Sequence, residues 1–117
     1  MKENIIVLKS FQFSLHILQL HKQLVKQKEY VISRQLLRCS TSIGANIEEA
    51  GAASSRKDFA AKMMIASKEA REAKYWLRLL QEDNFLNDYE LSDLISEVDQ
   101  IINILTKIVK TTQEKLK

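Results

Sequence analysis

FAAKMMIASKEAREAKYWLRLL, residues 59–80, decides the fold class. Phe59, Met63, Ala66, Ala70, Ala73, Leu77 and Leu80 step by four and three residues without a slip. Side chains at that spacing share one stripe of an α-helix, and a sustained stripe must be buried against other helices. A second ladder follows at Leu91, Leu94, Val98, Ile101, Leu105, Ile108 and Thr112. Two more precede it. The first helix is expected over about Asn4–Lys28, with Leu8, Phe11, Leu15, Leu18 and Val25 on its seam and Lys22 in the slot between the last two. The second is expected over Val31–Ala50, with Ile32, Leu36, Cys39, Ile43, Ile47 and Ala50. No proline interrupts any of them.

The joints between ladders are short. Gly51 suits the left-handed residue that closes a helix. Ser55 with Asp58, and Asn87 with Glu90, read as capping boxes opening the third and fourth helices. Short joints between long helices force antiparallel neighbours, so the expected fold is all-α, an antiparallel up-down-up-down four-helix bundle, with residues 1–117 as one domain. Gly44, in the middle of the second helix, costs about 1 kcal/mol relative to alanine, which implies a close helix approach or a bend.

Composition bounds the function. With 117 residues, 45 % hydrophobic and 28 % charged, the chain has the makeup of a globular protein. One cysteine cannot close an intrachain disulfide, and no stretch reaches the roughly 18 apolar residues of a membrane span. The expectation is a cytoplasmic protein with no membrane partner. Charge is uneven: residues 79–106 hold seven acidic side chains and no Lys or Arg, whereas residues 1–78 hold fourteen basic and seven acidic. An up-down bundle puts Lys22, Lys26, Lys28 and Arg34 at the same end as Asp83, Asp88 and Glu90, which suggests pairing there within or between subunits.

Catalytic and metal chemistry find little footing. His16 and His21 are five residues apart, roughly 140° around a helix, and cannot share a metal. No Glu-x-x-His motif of di-iron bundles, glycine-rich phosphate loop or nucleophile elbow occurs. Cys39 reads as a small core hydrophobe. The expectation is therefore no enzyme, no cofactor, no metal and no small-molecule substrate.

Three surface features remain. Arg38, Ser42, Asn46 and Glu49 line one flank of the second helix, which is either a solvated flank or, with Asp58, a partly buried polar network. Lys57, Lys68, Arg71 and Arg78 fall within about 80° on the third helix, a solvated face or a candidate RNA or DNA contact through phosphates. Met64, Trp76, Leu79, Ile95, Ile102 and Val109 form second apolar rows beside the ladders. They serve either as a wide core or as a subunit interface, because soluble monomers seldom expose large contiguous apolar patches.

The run Arg38–Ala50 followed by Ser55–Phe59 resembles the signature of the bacterial family first met as proteins encoded in intervening sequences of 23S ribosomal RNA genes. Ser42, Ile43, Asn46, Ile47, Glu49, Lys57, Asp58 and Phe59 match its Ser-Ile-x-x-Asn-Ile-x-Glu run and the Lys-Asp-Phe after the loop. The usual glycine after the glutamate is displaced by one residue to Gly51. The resemblance implies a four-helix bundle that assembles as a homopentamer, with no assigned enzymatic activity. A remoter similarity, to accessory subunits of diversity-generating retroelements, implies the alternative: a nucleic-acid-binding subunit using basic helical faces to contact RNA, DNA or a reverse-transcriptase-like partner.

Overall fold

A computed structural model describes residues 2–87 and 90–116, with side chains from Ile5 onward. Four helices follow in order: α1 (Lys2–Lys26), α2 (Val31–Ala50), α3 (Arg56–Asp83) and α4 (Ser92–Leu116). Each packs on the next, and α4 returns to α1, closing an elongated four-helix bundle of 48 × 21 × 20 Å. The α1–α4 flank is the most sparsely packed of the four. No strand occurs among the described residues.

Three ladders turn inward as their spacing dictates. Leu36, Cys39, Ile43 and Ile47 of α2, Met63, Ala66, Ala70, Ala73 and Leu77 of α3, and Leu94, Val98, Ile101 and Leu105 of α4 are buried. The three alanines let α2 and α4 approach the α3 backbone closely.

On α1 the expected seam is on the wrong side. Leu8, Phe11, Leu15, Leu18 and Val25 are 38–61 % exposed, and the core is filled by Ile6, Phe13, Ile17, Leu20 and Leu24. These, with buried Ser10, form a second ladder of equal regularity. Each ladder has one polar rung, and the difference between the rungs decides the contest. Ser10 turns its hydroxyl back to the Val7 carbonyl at 3.1 Å and is buried cheaply. Lys22 in the seam would put an ammonium in the core, which costs several kcal/mol without a partner.

The helix ends differ from the sequence expectation in detail. Ser55 does cap α3, its Oγ accepting from the Asp58 N–H at 3.0 Å, while Asp58 accepts from the Ser54 N–H. Gly51 stays right-handed (φ −63°), and the left-handed residues are Lys28 (φ 64°) and Asn84 (φ 56°), which follow α1 and α3. Helix α4 starts at Ser92, not at an Asn87 cap, and Glu90 accepts from the Ser92 N–H at 3.0 Å. At α2 the sequence offers no Ser, Thr, Asp or Asn cap. Glu29 does that work from outside the helix, its carboxylate accepting from the N–H groups of Val31, Ile32 and Ser33.

Gly44 faces Ser10 and Ser14 on α1. A Cβ added there would meet their hydroxyl oxygens at 3.7 and 3.8 Å, ordinary van der Waals contact. The glycine is thus not required by sterics, and Gly44→Ala is expected to raise the unfolding free energy by about 0.5–1 kcal/mol through helix propensity. Urea denaturation measures it; a loss of stability would mean the α1–α2 approach cannot yield at all.

Candidate functional site

The polar residues flanking α2 do not form one network. They make separate local contacts, most of them to α3. Arg38 spans Glu69 (2.9 Å) and Glu72, and its Nε donates to Gln35 at 3.2 Å. Glu72 also accepts from the Trp76 indole N–H at 3.0 Å. Glu49 pairs with Lys62 at 2.9 Å. Asn46 Nδ2 donates to the Ser42 carbonyl at 2.8 Å and to its hydroxyl at 3.1 Å, inside α2. Asp58 serves the α3 cap. Sequence reading missed the partners Glu69, Glu72 and Lys62. The available signal was that Glu69 and Glu72, three residues apart, are the only acidic residues between Asp58 and Glu82.

Hydrogen bonds from Arg38 and then Trp76 hold the Glu72 carboxyl below its ordinary 4.5, against a smaller opposing effect of burial. A carboxylate lowered in the folded state stabilises the fold above its unfolded pKa, and that stability is lost as pH falls through the folded value. The urea midpoint should therefore decline as pH drops below about 4.5, and Glu72→Gln should flatten the decline. The pair is partly exposed, so the difference is at most about 1 kcal/mol. An equal decline in the variant would refute the assignment.

Burial, and secondarily the Glu72 charge, push the Cys39 thiol from 9.0 up to about 12. It is fully buried and holds its proton at neutral pH, so it lacks the thiolate a nucleophile needs. The histidines are structural links. His16 Nδ1 meets the Glu97 carboxylate of α4 at 2.8 Å, and His21 Nδ1 lies 3.2 Å from the Ser33 carbonyl of α2, which makes that nitrogen the protonated one. No group of three or more potential metal ligands occurs among the described residues. No helix among them is long and apolar enough to cross a membrane.

The apolar rows of α3 and α4 divide. Ile102 is buried, and Trp76, Ile95 and Val109 are half-buried against the core, while Met64 and Leu79 reach solvent. The longest exposed apolar row is instead on α1: Leu8, Phe11, Leu15, Leu18 and Val25, with Ile5 at its head. Residues 10–21 of that helix carry no Lys, Arg, Asp or Glu.

The cations of α3 are exposed. Among the described residues none of Lys57, Lys68, Arg71 and Arg78 enters an ion pair, and Arg71 reaches only the Thr106 hydroxyl at 3.4 Å. Nor do Lys22, Lys26, Lys28 or Arg34 pair with Asp83 or Glu90; Asp88 lies outside the described residues. Lys68 and Arg71, with Lys110 of α4, line an open groove of about 340 Å³ floored by Met64 and Val109.

A solved structure, a protein of unknown function from the S23 ribosomal protein family of Bacteroides thetaiotaomicron, is 44 % identical. The match covers 94 % of this chain and 99 % of that one, with a TM-score of 0.89. No curated protein shows significant similarity. The model of the 23S rRNA-intervening sequence protein family matches residues 2–107. A match across the four helices, with a bundle superimposable on an S23 relative, places the chain plainly: it belongs to the 23S rRNA-intervening sequence protein family.

Proposed function

We propose that the protein is a non-enzymatic, self-assembling subunit whose copies associate through the outer face of α1. The observation that carries this reading is the α1 row from Ile5 to Val25, regular, apolar but for Lys22, and turned away from the core. A stretch of twelve residues, 10–21, without Lys, Arg, Asp or Glu supports another apolar surface as its partner, and a second copy supplies one. Fully burying a Val, Leu, Ile or Phe side chain is worth about 1.5–3 kcal/mol, so covering six half-exposed ones returns on the order of 6 kcal/mol. Association itself costs an estimated 4–15 kcal/mol. A single contact of this kind is weak; in a closed ring with α1 toward its centre, each subunit uses the two flanks of the row for two heterologous contacts.

The ring of five implied by the resemblance is the expected stoichiometry. Light scattering coupled to size exclusion should return about five times 13.5 kDa at moderate salt. A monomer mass across the micromolar range would overturn self-assembly. A different closed multiple would keep assembly and discard the pentamer.

A further inference from the structure

Helix α3 lies diagonally across the bundle from α1, so copies held together through α1 leave its outer face open. That face combines three features. Lys57, Lys68, Arg71 and Arg78 lie within about 80° around the axis and extend over about 31 Å at 1.5 Å per residue. Lys110 of α4 joins Lys68 and Arg71 across the groove, and no carboxylate is among the groove's lining residues. Tyr75, between Arg71 and Arg78 in sequence and in the same sector, is 55 % exposed. Its ring stands edge-on to Trp76, centroids 5.3 Å apart, and the Trp76 indole is anchored on Glu72, so the aromatic pair is held in place.

We propose that this face binds single-stranded nucleic acid, with Lys57, Lys68, Arg71, Arg78 and Lys110 on phosphates spaced along the strand and Tyr75 stacking on a base. The length of the row fits a chain of phosphates better than a single small anion. The exposed tyrosine distinguishes a nucleic acid from an acidic peptide, because a base offers a flat face to stack on and a carboxylate chain does not. It also distinguishes a single strand from a duplex, whose bases are not free to leave their stack. The contacts read no base edges, so little sequence preference is expected.

Fluorescence anisotropy of a labelled 20-nucleotide single strand, titrated at 50–200 mM salt, tests this. The K68Q/R71Q/K110Q variant should weaken binding at least about tenfold and reduce the slope of log affinity against log salt by about 2, near 0.7 for each lost phosphate contact. Tyr75→Ala should weaken the single strand about tenfold and leave a duplex of equal length unchanged. A K22Q/K26Q variant, which lowers the net charge on α1 instead, should bind as wild type does. All of these positions are exposed, and circular dichroism checks that the helices persist. The proposal is overturned if wild type does not bind at 50 mM salt. It is also overturned if the triple variant binds unchanged, if Tyr75→Ala has no effect, or if polyglutamate competes as well as the strand.

Discussion

Phe13→Ala is expected to lower the unfolding free energy by about 3–5 kcal/mol, the range for removing a buried phenyl ring. Phe11→Ala, two residues away on the same helix, should change it by less than about 0.5 kcal/mol. Phe13 has no exposed surface and touches the core from the inner ladder; Phe11 is 61 % exposed on the outer one. Both variants belong in a Leu15→Glu background that disfavours association, because loss of an intersubunit contact would otherwise appear as lost stability. Urea unfolding followed by circular dichroism gives both numbers. Equal costs at the two positions would mean that α1 is rotated about its axis, with Phe11 as well as Phe13 turned toward the core.

The second large effect concerns mass rather than stability. F11E/L15E should convert the assembly to a 13.5 kDa species while leaving helical content intact. In the isolated bundle both glutamates would point into water and cost little. Between two α1 faces each would be an unpaired buried charge, costing several kcal/mol, against about 1 kcal/mol recovered from each covered apolar side chain. Each copy introduces two such charges, which exceeds what the row can return. An assembly of unchanged mass would move the interface off α1 and back toward Met64 and Leu79 on α3. Reading stability and mass on the same variants separates the two roles of α1: the inner ladder holds the subunit together, and the outer ladder joins it to its neighbours.

Much of this was legible residue by residue. The 59–80 ladder, the absence of proline and the short joints were enough for four antiparallel helices, because helical spacing and chain reach are local properties. The Ser55–Asp58 cap was legible for the same reason, since its partners are three residues apart. The Glu29 cap escaped notice because glutamate before a helix is not among the usual capping residues. The expected polar network forms only at one link. Arg38, Glu49 and Asn46 do share a flank of α2, but only Asn46 bonds within the set, to Ser42, while Arg38 and Glu49 pair with Glu69, Glu72 and Lys62 of α3.

Helix α1 marks the boundary most sharply. Its sequence determined that it would be a helix with two regular apolar ladders, and that one of them carried a lysine and the other a serine. Which ladder faced inward was decided by the bundle, because a buried ammonium costs free energy only once neighbouring helices enclose it. The same holds for the candidate nucleic-acid face. The stripe on α3 was countable from residue spacing, but Lys110 joins it only because α4 runs antiparallel alongside α3. Periodicity determined which side chains share a face; which faces meet, and which remain open to a partner, required the packing of all four helices.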